Sequence, residues 1–61
     1  MANLGGSNKL LGATATADLL DVPVQTLYRN WRTWGLKGYR VGQKLKFRER
    51  DVQGWIERQV A

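Results

Sequence analysis

From Ala13 onward the apolar residues recur at helical spacing. Ala13, Ala17 and Leu20 lie three or four apart with Leu19 beside them, and either Gly12 or Thr14 stands where a cap belongs. Asp21, Val22 and Pro23 interrupt this run. Proline cannot continue a helix but suits the first positions of a new one, so a second helix is predicted to start there. Over residues 24–34, a rotation of about 100° per residue gathers Val24, Leu27, Trp31 and Trp34 into one arc, with Tyr28 at its edge. That arc is the predicted core face. Opposite it fall Gln25, Thr26, Arg29 and Thr33, flanked by Asn30 and Arg32. This stripe holds donors and positive charge but no carboxylate, whereas a merely solvated helix usually mixes both signs.

Past Gly35 and Gly38 the period changes from helical to alternating, with Tyr39, Val41, Leu45 and Phe47 apolar and Arg40, Lys44, Lys46 and Arg48 basic. The pattern predicts a hairpin with one wet face. A two-residue turn at Gly42 and Gln43 would set Val41 opposite Lys44 and mix the faces. A three-residue turn, Gly42 to Lys44, sets Val41 opposite Leu45 and Tyr39 opposite Phe47, and is the expectation. A last helix is predicted from Arg50 to Val60, with Val52, Trp55, Ile56 and Val60 on one side and Glu49 and Asp51 near its positive end. Gly54 weakens that helix by ~1 kcal/mol relative to alanine, which suggests a backbone passing close by. Residues 1–9, with paired glycines, Ser and Asn, read as a flexible leader to a single domain over 10–61.

Composition narrows the function classes. A chain of 61 residues has room for one small core and not for a usual enzyme pocket between layers. It contains no Cys and no His, so disulfides, thiolate ligands and the commonest general base and zinc ligand are all missing. The expectation is a protein with no catalytic residues, metal, cofactor or small-molecule ligand. No apolar run is long enough to span a bilayer and the start lacks the form of a signal peptide, which makes the cytoplasm the expected compartment. The formal net charge of +5 favours a polyanionic partner.

That charge is regional. Eight of the ten basic residues lie between Arg29 and Arg50, against one acid, Glu49. A helix of roughly 10 Å diameter fits a major groove about 12 Å wide, and a hairpin beside it reaches a phosphate ridge or the neighbouring minor groove. Gln25 and Arg29 are the candidates for reading base edges, since amide and guanidinium groups each make bidentate contacts. Thr26, Tyr28 and Arg32 are assigned to phosphates, and the hairpin contributes Arg40, Gln43, Lys44, Lys46 and Arg48. Basic strand residues also discourage edge pairing, but here they continue a basic helix face. The three tryptophans sit on apolar faces, which favours core packing over stacking on single-stranded bases. Tyr28 and Tyr39 lack the acid, base and anion clamp that a nucleophile needs. Asp18 and Asp21 are better explained by a helix end and a turn than by a metal site.

From Leu11 to Ile56 the chain resembles the excisionase family of MerR-like winged helix-turn-helix domains. The stretch Asp18-Leu-Leu-Asp-Val-Pro-Val-Gln-Thr-Leu-Tyr-Arg29 is similar to the family's helix, turn and start of the recognition helix. Tyr39-Arg-Val-Gly-Gln-Lys-Leu-Lys-Phe-Arg48 is similar to its wing, and Arg50-Asp-Val-Gln-Gly-Trp-Ile56 to its closing helix. The resemblance implies an α+β, mainly α fold: a helix-turn-helix, a two-stranded wing and a closing C-terminal helix. It places Gln25, Thr26, Tyr28 and Arg29 at recognition-helix contacts and Gly42 to Lys46 where the wing meets DNA. It departs from the family at Pro23, where a capping Ser is usual, at Asp21, where Gly is common, and at Trp34, where Gly is frequent. Asp tolerates left-handed backbone angles better than most residues.

The function so implied is binding and bending of double-stranded DNA at a phage attachment site. Its partners would be neighbouring copies of the protein on that DNA and a phage integrase, which it directs toward excision. With Ala61 just past the third helix, no long dimerising helix is expected. Two other readings stay open: a small MerR-like transcriptional regulator, and a basic protein-interaction adaptor.

Overall fold

A computed structural model of the chain describes residues 8–59. Its elements are β1 (Leu10–Gly12), α1 (Ala13–Leu20), α2 (Val24–Trp34), β2 (Gly38–Val41), β3 (Lys44–Arg48) and α3 (Glu49–Glu57). The fold is α+β and mainly helical, with the expected order of helices and hairpin. Val60, expected on the apolar side of α3, and residues 1–7 of the expected leader lie outside the described residues. Of the other leader residues, Lys9 accepts a backbone hydrogen bond from Glu49 N–H at 2.8 Å, and Asn8 Oδ1 accepts one from Arg50 Nη1 at 3.3 Å.

α1 and α2 end by the same device. At the end of α1, Asp21 takes left-handed angles (φ 58°, ψ 46°), with Asp21 N–H donating to Asp18 O and Val22 N–H to Ala17 O. At the end of α2, Gly35 does the same (φ 82°), with Gly35 N–H donating to Arg32 O and Leu36 N–H to Trp31 O. Each pair of bonds satisfies carbonyls that the helix leaves open and turns the chain back onto the core. Asp21 thus carries the tight turn between α1 and α2. Gly12, not Thr14, occupies the cap position of α1, and no side chain caps that end.

The core sits where α1, α2 and α3 close over one face of the sheet. Leu27, Phe47 and Val52 are fully buried, with Ala13, Ala17 and Leu36 beside them and Trp31, Trp34, Trp55 and Ile56 packed around. Thr16 is also fully buried, its hydroxyl donating to Gly12 O at 2.8 Å. That bond inside the helix makes a polar residue acceptable in the core. Trp31 meets Phe47 edge to face, and Trp34 stacks on Trp55. Core packing of the tryptophans is therefore observed. Tyr28, placed at the edge of the apolar arc, instead stands 55 % exposed.

Two features of the sheet differ from the sequence expectation. It has three strands in the order β1-β3-β2, because Leu10–Gly12 pairs antiparallel with Lys46–Arg48. Three residues are too short a segment to announce a strand by alternation. The hairpin turn is also the two-residue Gly42-Gln43 turn, with Val41 opposite Lys44, Arg40 opposite Leu45, Tyr39 opposite Lys46 and Gly38 opposite Phe47. Gly42 is the turn residue with positive φ (65°), which suits the first place of a two-residue loop whose twist matches the strands. Arg40 therefore shares the sheet face of Leu45 and Phe47, while Tyr39 and Val41 lie with Lys44, Lys46 and Arg48. The reason lies at Gly38, on the core face, where an added Cβ would come within 2.7 Å of Trp31 Cζ3. The tryptophan ring fills the place a β2 side chain would take, and hydropathy alternation cannot register a glycine as a core residue.

A last correction concerns Gly54. Among the described residues no other element's backbone approaches it: an added Cβ would meet only Arg58 Nη1, at 3.8 Å.

Candidate nucleic-acid interface

The exposed stripe of α2 forms, with Tyr28 in it and Thr26 partly withdrawn from it. Pro23 precedes the helix in extended conformation (φ −61°, ψ 146°), its carbonyl accepting from the N–H groups of Thr26 and Leu27. Leu27 anchors the helix in the core. That rotation leaves Gln25, Tyr28, Arg29, Arg32 and Thr33 exposed and Thr26 half-buried. Asn30 is half-buried, its side-chain amide donating to Thr26 O at 3.0 Å. Arg32 lies over the Trp31 ring at 5.1 Å, an arrangement that holds a guanidinium in place while leaving its edge free to donate. From Val24 to Trp34 the helix carries no carboxylate.

The hairpin supplies the second element. Beyond the end of β1, Lys44 and Leu45 extend past its last pairing, Gly12 with Lys46. An open groove of about 400 Å³ forms there, between the hairpin tip, Tyr28 of α2 and the first turn of α1. Arg40, Gln43, Lys44 and Lys46 line it from the hairpin, and no acid lines it among the described residues. The Lys46 ammonium reaches over Gly12, 3.7 Å from where a Cβ would stand. Glycine at position 12 leaves that path open.

The structure thus brings five of the predicted site residues to one groove: Tyr28, Arg40, Gln43, Lys44 and Lys46. Gln25, Thr26, Arg29 and Arg32 lie on α2 outside the groove lining. Arg48 stands apart, half-buried, with its guanidinium 5.0 Å from the centre of the Tyr39 ring. The Tyr39 hydroxyl donates to Asp51 Oδ2 at 3.2 Å, so Tyr39 ties the hairpin to α3. Arg48 Nε is buried and has no hydrogen-bond partner among the described residues.

Sequence reasoning missed the third wall of the groove, Gly12 to Ala15. The signal for it was modest but present. α1 starts without a side-chain cap and without an acid in its first turn, so the N–H groups there and the positive end of the helix dipole are not neutralised locally.

A helix with an exposed, acid-free stripe, joined by a tight left-handed turn to the preceding helix and sharing a groove with a basic hairpin through Tyr28, is the arrangement of a helix that enters a DNA groove. The family model of the helix-turn-helix domain matches residues 10–60. The chain belongs to the helix-turn-helix domain family. This family binds DNA, and in this helix-turn-helix domain α1 and α2 form the motif, with β2 and β3 as the wing. No curated protein and no solved structure matches the chain. Among the described residues no helix is long and apolar enough to cross a membrane, and no group of His, Cys, Asp or Glu is arranged to hold a metal ion.

Proposed function

We propose that this helix-turn-helix domain is an accessory DNA-binding factor of site-specific recombination, an excisionase that binds and bends double-stranded DNA and acts without catalysis of its own. In this reading α2 lies in the major groove, with Gln25 and Arg29 on base edges and Thr26 and Arg32 on phosphates. Tyr28, Arg40, Gln43, Lys44 and Lys46 take the strand that rises out of the groove toward the wing. Arg48, held against Tyr39, adds positive potential behind them. The protein works in the cytoplasm at a phage attachment site, where head-to-tail copies and an integrase are its partners.

The observation that carries this reading is the acid-free groove shared by Tyr28 of α2 and the basic wing tip. In this reading a duplex engaged by α2 passes its backbone close to such a groove, and the contacts made there offset the energy of bending the DNA toward the wing. The excisionase role in particular is supported by the ordered likeness of the helix-turn, wing and closing-helix stretches described above.

The deciding experiment adds the protein to an integrase and a supercoiled substrate bearing attachment sites. Stimulated excision, with footprints on adjoining sites that appear together, is the expected result. Transcriptional activation or repression without any effect on excision would favour the regulator reading instead.

A further inference from the structure

A second groove, of about 270 Å³, lies between the segment after α2 and the outer side of α3, and it shares no lining residue with the DNA groove. Its floor is Leu36, Gly54 and the half-buried Trp55, and its rim holds Lys37, Arg50 and Arg58. Arg50, Gly54 and Arg58 are four residues apart and so form one stripe of α3. That stripe reads cation, gap, cation over about 12 Å, the rise of eight helical residues.

The gap is the informative part. Glycine is the least favourable helix residue after proline, and packing among the described residues does not require it, since there an added Cβ would meet only Arg58 Nη1 at 3.8 Å. The missing side chain leaves Trp55 accessible from outside. Trp55 is also held rigidly, stacked on Trp34 with its indole N–H donating to Trp34 O at 2.8 Å. The acid in the lining, Asp51, already accepts the Tyr39 hydroxyl.

We propose that this groove docks an acidic peptide segment of a partner protein, with an apolar side chain seated over Gly54 against Trp55 and Leu36 and carboxylates on both sides paired to Arg50, Arg58 and Lys37. An extended peptide advances about 3.3 Å per residue, so four or five residues span the stripe. DNA fits the groove less well, because a phosphodiester strand offers no apolar anchor for the floor of Leu36, Gly54 and Trp55. A second copy of the chain brings a net charge of +5 against +5. This inference is independent of the excisionase reading.

The test titrates the intact protein with a blocked synthetic peptide in which two leucines are flanked on each side by two acidic residues, followed by amide proton–nitrogen correlation spectra. The expected result is a saturable shift of the Leu36, Lys37, Gly54 and Trp55 amides and of the Trp55 indole N–H, while the Arg29 and Lys44 amides stay in place. Gly54→Gln, which fills the gap and favours the helix, and Lys37→Glu, an exposed change, should each weaken binding at least about tenfold. Circular dichroism melts establish that both variants are folded. Several outcomes would overturn the proposal: no shift at millimolar peptide, equal shifts with serines replacing the leucines, or unchanged binding by the folded variants. So would movement of the same amides on adding a short DNA duplex or on concentrating the protein alone.

Discussion

Replacing Gly38 with alanine is expected to destabilise the fold by about 1–2 kcal/mol, because the core face of β2 has no space for a methyl group. The added carbon would stand 2.7 Å from Trp31 Cζ3, 2.8 Å from Cη2 and 3.0 Å from Leu45 Cδ1. The first distance is roughly 0.7 Å short of the 3.4 Å at which ordinary contact begins. Trp31 cannot yield freely, since its ring meets Phe47 edge to face at 5.7 Å and Phe47 is fully buried. Overpacking of this kind costs about 1–3 kcal/mol. Against it stands about 0.4–1 kcal/mol from restricting the unfolded chain. For a domain of this size the total stability is on the order of 3–9 kcal/mol, and the net loss corresponds to a fall in Tm of about 5–15 °C. Thermal and urea denaturation followed by circular dichroism measure it. The cause is isolated by a double-mutant cycle with Trp31→Phe, whose smaller ring makes room, so the alanine should cost less in that background. A Gly38→Ala protein as stable as the parent, or costs that simply add, would refute the argument.

Gly54→Ala provides the contrast, since its methyl meets only Arg58 Nη1 at 3.8 Å; it should raise stability by about 1 kcal/mol in urea denaturation. Asp21→Val places a β-branched side chain at φ 58°, and the left-handed penalty should lower stability by about 1–2 kcal/mol in the same assay. Arg29→Ala should weaken DNA binding by about 1–3 kcal/mol and relax preference at one base pair, read by binding to a panel of single-substituted sites. A uniform loss on all sequences would move Arg29 to the phosphates. In a salt titration, neutralising about five phosphates gives a slope of log affinity against log salt near −4 to −5, and Lys44→Ala should make it shallower by about one.

Legibility in the sequence followed the physics of each element. α1 and α2 were plain because their apolar residues recur with the helical period and their ends carry Asp21, Pro23 and Gly35, whose backbone preferences are local. The charged stripe of α2 was equally plain, since burying Leu27 and Trp31 on one side leaves Gln25 and Arg29 on the other. The wing was legible as a hairpin but not in register. Its turn was decided by Gly42, and its inner face by the Trp31 ring filling the place over Gly38, a contact between residues that no periodicity connects. β1 was hidden for a related reason, because a strand of three residues exists only by pairing with β3.

What the chain determined by itself is therefore what depends on neighbours a few residues away: two helices and their stops, an acid-free basic stripe, and a basic ribbon after it. Tertiary structure decided what depends on distance in space. It set Arg40 on the face of Leu45 and Phe47, moved Arg48 onto Tyr39, and brought the start of α1 up to Tyr28 and Lys46 to close the groove. The first of those choices goes with a tryptophan ring packed against a glycine, and side-chain volume meeting an empty site across the core leaves no trace in a one-dimensional pattern.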